Sequence, residues 1–185
     1  MTTAALKEWS AVVAALLDGR QTVLLRKGGI GEKRFTLRAE RFLLFPTVAH
    51  SHAERVRPEH RDLLAAAAAD STEHRLVIRA AARVVAAVAV ERPDGLATIE
   101  DTHIWTAASV RADRLDFRPK HRLAALVVQA YRLTEPVTLA RHPGYGGCTS
   151  WVELPVDCAP GTAVHDEETL LAVAGRVREA VGQNT

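Results

Sequence analysis

Two long apolar segments rich in valine and alanine constrain the fold of this chain more than any other feature. Residues 76–90 and 123–133 carry many Val, Leu and Ala side chains and few charges, a composition typical of strands in the middle of a sheet. The first segment is expected to break near Ala80, and an alanine-rich helix is the alternative for it. Two segments of this kind predict that the molecule contains β-strands.

The flanking segments mix helices and strands in no regular order. Residues 3–18 predict an amphipathic helix, because apolar side chains recur at three- and four-residue spacing before Gly19, a suitable helix stop. Further helices are predicted over residues 58–69 and 166–181. The remaining predictions are a helix near 109–116 and short strands at 21–26, 41–45, 103–106, 137–140 and 151–154. The absence of a βαβ rhythm predicts an α+β fold with a mixed or mostly antiparallel sheet, flanked by N- and C-terminal helices.

Length and composition favour a single domain over residues 1–185. The chain is 48% apolar and 25% charged, as in an ordinary globular protein of this size. Its two cysteines, Cys148 and Cys158, are too few for a disulfide framework, and its most apolar run is too short to span a bilayer. We therefore expect a soluble, cytoplasmic protein of bacterial type without membrane contact. The sequence leaves the oligomeric state open.

The overall charge does not mark the chain as a nucleic-acid binder. There are 24 Lys and Arg residues against 22 Asp and Glu, a net charge of +2. Residues 26–41, however, contain six basic and two acidic residues, a local excess of four positive charges. Two interpretations follow: a solvated surface with a chance asymmetry, or a basic edge that binds phosphate.

The most interpretable candidate site is the turn formed by Arg26, Lys27, Gly28 and Gly29. Glycines let successive backbone N–H groups converge on an anion, and the two cations can neutralise it. The Gly-Lys-Ser/Thr ending of a Walker loop is absent. The turn predicts a site for a carboxylate or a phosphate, with a plain connection between strands as the alternative.

Aromatic and cationic residues later in the chain are candidates for the same ligand. His103 and Trp105 stand in one short element, where they could form a base-stacking platform with a hydrogen-bonding neighbour. Arg118 lies in a basic elbow before a strand and can contact phosphate. The alternatives are a core tryptophan beside a hydrogen-bonded histidine, and a solvated turn.

The loop at residues 142–150 is the richest in reactive groups. Two glycines before Cys148 expose backbone N–H groups of the kind an oxyanion needs, and Tyr145 and Ser150 stand on either side. His50 could act as a general base for Cys148 or Ser150 in a hydrolase or transferase. The alternative is a tight structural loop with a buried thiol. No metal-ligand signature and no cofactor motif occurs, so neither a metal nor a cofactor is predicted.

Five short motifs stand in a fixed order along the chain. They are Ala5-Leu-Lys-Glu-Trp9, Leu25-Arg-Lys-Gly-Gly-Ile30, Phe42-Leu-Leu-Phe-Pro-Thr47 with His50, His103-Ile-Trp-Thr106 and Tyr145-Gly-Gly-Cys-Thr-Ser-Trp151. Together they resemble the bacterial domain-of-unknown-function family 1802, from Ala4 to Leu154 and without the terminal helix. This resemblance implies no activity. The opening helix, its glycine stop and the arginine-ended strand are similar to the start of PUA-like and ASCH domains, which implies a PUA-like partial barrel and a partner such as RNA or a nucleotide.

These features together predict a binding module for a phosphate-bearing ligand, either RNA or a nucleotide. In this hypothesis Arg26 and Lys27 bind the phosphate, His50 and Trp105 face the base or sugar, and Tyr145 and Ser150 close the pocket. The hypothesis requires the turn at 26–29 and the loop at 142–150 to frame a shared cavity. An enzyme using the same pocket, and a structural or protein-partner domain, are the alternatives.

Overall fold

The computed structural model describes residues 2–28, 34–157 and 159–183. The strands in these ranges are β1 (Thr3–Trp9), β2 (Val23–Lys27), β3 (Arg41–Thr47), β4 (Arg75–Ala89), β5 (Leu123–Ala140), β6 (Trp151–Leu154) and β7 (Pro160–Ala163). They form one open sheet in the order β2-β5-β4-β3-β1-β6, and β7 pairs with β5. Only β1 and β3 pair in parallel. The predicted α+β fold with a mostly antiparallel sheet is therefore confirmed.

Five α-helices are present in the described residues: α1 (Ser10–Leu17), α2 (His52–Arg55), α3 (Leu64–Ala68), α4 (Ala107–Val110) and α5 (Glu167–Val181). Short 3-10 helices occupy Pro58–Leu63, Pro93–Thr102 and Pro143–Tyr145, and a π-helix at Arg111–Asp116 continues α4. The predicted helices near 58–69 and 109–116 are thus present, in less regular form. None of the helices described is long and apolar enough to cross a membrane.

The two long apolar segments form the central pair of strands, β4 and β5. They pair from Arg75 with Ala140 to Ala89 with Ala124, and the register shifts between Ile78 and Ala80. The predicted irregularity near Ala80 is a shift within one strand, so the alternative of a helix is wrong. β5 also joins the two strands predicted at 123–133 and 137–140 into one, because β4 supplies a partner over its whole length.

The prediction of a helix over residues 3–18 is wrong in its first half. Residues 3–9 form β1, inserted between β3 and β6, and the helix begins only at Ser10. The apolar side chains of Ala5 and Leu6 suit a helix by spacing, but pairing on both edges and burial on both faces favour an extended strand. The predicted stop is correct, since Gly19 has φ +78°, a conformation that glycine adopts without strain.

The apolar interior consists of two clusters, one on each face of β1 and β3. Leu6 and Leu44 belong to the larger cluster, which α1 and α5 cover, whereas Ala5 and Leu43 belong to a smaller one. Alternate residues of a strand point to opposite faces, so each face packs its own set of side chains. The two clusters also place polar neighbours on β1 on opposite faces of the sheet.

The C-terminal helix follows the sequence signals closely. The Asp166 side chain accepts a hydrogen bond from the Thr169 N–H at 2.7 Å, and Glu167 and Glu168 occupy the first turn. Leu170, Ala174, Val177 and Val181 are buried at the expected spacing. β7 was not predicted, and the predicted strand at 103–106 is only an isolated bridge between Trp105 and Val56.

Candidate phosphate-binding site

A buried carboxylate at the end of β1 organises the most highly charged region of the molecule. Glu8 is 3% exposed; its Oε2 accepts a hydrogen bond from Nη1 of Arg26 at 3.1 Å, and its Oε1 accepts the Trp9 N–H at 2.9 Å. Arg26, on β2, also donates to the Lys7 carbonyl, and its guanidinium lies 5.1 Å from the ring centre of Phe35. Both charges are therefore largely withdrawn from water and neutralise each other.

A second ion pair lies close to the first. Nε of Arg55, at the end of α2, donates to Oδ2 of Asp113 on the π-helix at 2.6 Å. The Arg55 guanidinium lies 5.7 Å from the ring centre of Trp9, a distance typical of cation–π contacts. The hydrogen bond to Asp113 raises the pKa of Arg55. This arginine thus has a carboxylate partner and an aromatic neighbour.

Arg114 is the third arginine of this region, and it differs from the other two. Its guanidinium lies 5.9 Å from the ring centre of Trp105, and its buried Nε has no hydrogen-bond partner in the part of the chain described. Burial lowers the pKa of Arg114; Glu8 opposes this effect, and Arg26 adds to it. We call Arg26, Arg55, Arg114, Trp9 and Trp105 the arginine–tryptophan cluster. With Glu8 and Asp113 it carries three positive and two negative charges, so one positive charge is not balanced.

Aromatic rings form the floor of this cluster. Trp9 and Trp105 meet edge to face with centroids 5.1 Å apart, and His52 packs on Trp9 at 3.9 Å. Burial, aided by the nearby Arg55, lowers the pKa of His52 to about 4. Nε2 of His52 is buried without a partner among the described residues. The histidine is therefore neutral at pH 7 and adds no charge to the cluster.

The opening above the cluster is small. A crevice of about 10 Å³ lies between Trp9, Trp105, Ser109, Asp113 and Arg114. This is close to the volume that one water molecule needs, so a single phosphate oxygen could enter but a whole nucleotide could not. A ligand would have to lie across the surface and present its phosphate to Arg114.

A set of four cations, three of them exposed and one half-buried, lies next to the cluster and extends it. The backbone of Arg34 forms an isolated parallel β-bridge with that of Arg122, which stands just before β5. Arg118 and Lys120 precede Arg122 in the same turn. We call Arg34, Arg118, Lys120 and Arg122 the basic edge; none of them has a salt-bridge partner among the described residues. Arg118 has φ +51°, unusual for a residue other than glycine, and lies over its neighbour Phe117.

In the structure, the turn that was predicted to bind an anion mainly makes contacts that hold the fold together. Nζ of Lys27 donates to the carbonyls of Arg114, at 2.8 Å, and of Phe117. The ammonium group thereby caps the end of the π-helix and joins β2 to it. The carbonyl of Gly28 contacts Nδ1 of His121 at 3.1 Å. Gly29 lies outside the described residues.

The loop at residues 142–150 lies on the opposite face of β1. The Lys7 side chain donates to the carbonyls of Gly146 and Gly147 at 3.0 and 3.1 Å, while the neighbouring Glu8 side chain binds Arg26. Successive side chains of a strand point to opposite faces, so β1 separates this loop from the turn at 26–28. The expectation that the two segments frame one cavity is therefore wrong as far as the described residues go.

The residues predicted for catalysis do not contact one another in the described structure. His50 and Cys148 are exposed, and no hydrogen bond joins His50 to Cys148 or to Ser150, whose carbonyl accepts the Lys7 N–H. Tyr145 packs edge to face on Phe45, with centroids 5.8 Å apart. The thiol is thus not buried, contrary to the structural alternative. Within the described ranges, no group of three or more His, Cys, Asp and Glu residues could hold a metal ion.

His103 and Trp105 are adjacent, but they line different crevices. Trp105 is 5% exposed and belongs to the arginine–tryptophan cluster, whereas His103 faces a second crevice beside α4. Nδ1 of His103 accepts the Trp105 N–H at 3.2 Å. Of the predicted ligand-binding residues, the structure therefore brings together Arg26 and Trp105, with Lys27 behind them and Arg118 nearby.

Sequence reasoning missed several residues of the cluster. Glu8 lies in the segment that was predicted to be helical, and Arg55 and Arg114 lie in helical segments with no motif around them. His52 follows the predicted His50 by two residues, and the structure buries His52 and leaves His50 exposed. An acidic residue within an apolar strand would have been a signal for Glu8, but only after residues 3–9 were recognised as a strand.

The fold and the cluster together define a class: an α+β domain with an open, mostly antiparallel sheet and a partly buried arginine cluster at one end. The chain belongs to the family described as Domain of unknown function (DUF1802), whose model matches residues 5–175. The match confirms the resemblance found in the sequence motifs. It also extends into α5, beyond the limit at Leu154 that the motifs indicated. Among curated proteins, none matches the chain.

Two solved structures similar to this chain are crystal structures of ASCH from Zymomonas mobilis, one of them of an alanine-for-serine mutant. The mutant structure matches with a TM-score of 0.47 and 15% sequence identity, and the match covers 92% of this chain and 94% of the mutant's chain. The other has a TM-score of 0.46, also with 15% identity, and covers 92% of this chain and 93% of its own.

Proposed function

We propose that this protein is a binding module for a phosphate-bearing ligand, RNA or a nucleotide, and that the arginine–tryptophan cluster and the basic edge form its binding surface. The observation that carries the proposal is Arg114. Its guanidinium lies over Trp105 beside two ion-paired arginines, and its buried Nε has no hydrogen-bond partner among the described residues. A cationic group with a buried N–H that lacks an acceptor is unfavourable, and a phosphate oxygen would supply both the acceptor and a negative charge.

The basic edge extends this site with further cations that successive phosphates of a nucleic acid could contact. Arg34, Lys120 and Arg122 are exposed cations without ion-pair partners among the described residues, so they can contact phosphates without first losing a salt bridge. The aromatic rings at the cluster are suited to contact a base or a sugar once the phosphate is bound. Arg26 and Trp105, predicted from the sequence, support this site: Arg26 pairs with Glu8 beside Arg114, and the Trp105 ring packs against the Arg114 guanidinium. Lys27 holds the π-helix that carries Arg114.

The test uses a fluorescent single-stranded RNA of about 12 nucleotides and fluorescence anisotropy between about 50 and 200 mM salt. Arg114→Gln is expected to weaken binding about tenfold or more, as for the loss of a charged hydrogen bond. It should also reduce the slope of log K against log salt by about 0.7. Arg178→Gln, which removes an equal charge from the exposed face of α5, should change affinity less than about twofold.

Two outcomes would overturn the proposal. One is an equal loss of affinity in Arg114→Gln and Arg178→Gln, which would mean that only net charge matters. The other is no RNA binding together with no response of the tryptophan fluorescence to a nucleoside monophosphate. Binding of the mononucleotide with little salt dependence would select the nucleotide over RNA. A location in the bacterial cytoplasm is part of this proposal, because RNA and nucleotides are found in that compartment.

A further inference from the structure

A second crevice lies beside the arginine–tryptophan cluster and has a different character. It separates the 3-10 helix Pro93–Thr102 from the helical segment 107–116 and has a volume of about 350 Å³. Its walls are mostly apolar, formed by Leu96, Ala97, Ala107, Ala108, Val110 and Leu115. Small side chains at three of these positions leave the space open. The volume falls within the range of small-molecule sites in proteins.

One polar side chain, that of His103, lines this apolar crevice from inside. The residue is 2% exposed, and its Nδ1 accepts the backbone N–H of Trp105. Burial, with a further contribution from Arg57, lowers the pKa of His103 to about 4, so the ring is neutral at pH 7. A neutral imidazole whose Nδ1 accepts a hydrogen bond carries its proton on Nε2. The backbone thus fixes His103 as a donor through Nε2.

This donor has no acceptor among the described residues. Nε2 of His103 makes no hydrogen bond to a described residue. Unlike Nε2 of His52, it is not completely shielded from solvent. It therefore keeps access to the space that its ring lines. An acceptor that reaches this donor inside the apolar crevice would form a hydrogen bond in surroundings where such bonds are stronger than in water.

The charges around the opening argue against an anionic ligand. Asp94, Glu100 and Arg111 stand at the exposed entrance and sum to one negative charge. His103 is neutral and adds none. A phosphate would find no net attraction here, in contrast to the unbalanced positive charge at Arg114. The crevice is suited to an uncharged guest.

We propose that this crevice binds a small uncharged molecule with a flat apolar body and one hydrogen-bond acceptor, which accepts the Nε2–H of His103. Leu96, Val110 and the alanines contact the apolar body, and His103 fixes its orientation. The site is independent of the phosphate-binding surface, although the two are neighbours in the fold. A failure of RNA binding would leave this proposal standing, and the reverse also holds.

The test compares two probes of the same shape, 1-indanone and indane, which differ in the carbonyl acceptor. In protein labelled with nitrogen-15 at histidine, the His103 ring signals should show the Nε2–H tautomer, and indanone should shift the Nε2 signal. Indane should bind roughly three- to tenfold more weakly, the effect of one hydrogen bond. Ala107→Leu, which fills the crevice from α4, should abolish binding of both probes. Ala66→Leu, an exposed position on α3, is the matched control and should leave binding unchanged.

Several results would overturn the proposal. They are a proton on Nδ1 of His103, equal affinity for the two probes, binding that survives Ala107→Leu, or no saturable shift with indanone. His103 itself is not replaced, because its removal could unfold the segment around Trp105. RNA affinity measured on Ala107→Leu should match the unaltered protein, which separates this site from the phosphate-binding surface.

Discussion

Lys7 and Glu8 are neighbours on β1, yet they support two very different regions. Glu8 faces the arginine–tryptophan cluster, where three guanidinium groups share two carboxylates and the buried Nε of Arg114 has no partner among the described residues. Lys7 faces the loop at 142–150, where its ammonium binds two carbonyls and the surrounding residues are mostly exposed. One face thus holds three guanidinium groups that share two carboxylates, and the other holds a single ammonium group that donates to two backbone carbonyls.

The contrast shows which feature of a site indicates binding. The 142–150 loop has the glycines, the thiol and the tyrosine that attract attention in a sequence, but two of its carbonyls already accept hydrogen bonds from Lys7. The cluster has no motif, but its burial of an unbalanced arginine is unfavourable without a ligand. Uncompensated charge beside aromatic surface is therefore the better guide in this molecule.

The largest effect is expected from removing the carboxylate that holds the cluster together. Glu8→Gln leaves Arg26 and Arg114 without their nearest buried counter-charge, and we expect the free energy of unfolding to fall by about 3 kcal/mol. Urea denaturation at pH 7 measures this change. Glu153→Gln, an exposed position on β6, should change it by less than about 0.5 kcal/mol. Equal small effects in both variants would show that the cluster does not depend on Glu8.

A smaller effect is expected from pH, through His52. Its pKa is about 4 in the folded protein against an ordinary value near 6.5, so the unfolded chain binds more protons between these values. Stability should therefore fall as pH decreases below about 6.5, and His52 should account for about 2 kcal/mol of the loss at pH 5.

Urea denaturation at pH 7 and pH 5 checks this dependence. His103 contributes in the same direction, so the difference between the unaltered protein and His52→Asn isolates the part due to His52. His50→Asn, an exposed position two residues earlier, is the matched control. If His52→Asn loses as much stability between the two pH values as the unaltered protein, His52 is not held neutral in the cluster.

The smallest effect is expected on the opposite face of β1. Lys7→Met removes the two hydrogen bonds to the 142–150 loop and should lower stability by about 1 kcal/mol, with RNA affinity unchanged. Lys120→Met, on the basic edge, should show the reverse: unchanged stability and weaker RNA binding. Thermal unfolding and anisotropy on the two variants make the comparison. A loss of RNA affinity in Lys7→Met would mean that both faces of β1 contribute to the ligand site.

Much of the fold could be predicted because its signals are local. The apolar runs of β4 and β5 indicate β-strands, Gly19 adopts the left-handed conformation expected of a helix stop, and Asp166 caps α5. The first half of the N-terminal segment could not be predicted in this way. Its apolar spacing suits a helix, and only the partners β3 and β6 make it a strand.

The candidate site residues also divide into those with a local sequence signal and those that only tertiary contacts reveal. Arg26 and Trp105 stood out because of their sequence neighbours, and the structure brings both to the cluster. Arg55 and Arg114 lie in ordinary helical sequence, and their importance arises from their distance to Glu8 and the two tryptophans. His103 was expected beside a nucleic-acid base, but the backbone N–H of Trp105 fixes its tautomer and orients it towards a separate crevice.

The sequence by itself determined the class of fold, the family and the presence of a basic segment, because each depends on composition or on short motifs. The tertiary structure alone decided which charges meet, since that depends on contacts between residues far apart in the chain. It placed Arg26 and the cysteine loop against opposite faces of β1. It also placed an unbalanced arginine over a tryptophan, and the electrostatic cost of that burial is what points to a ligand.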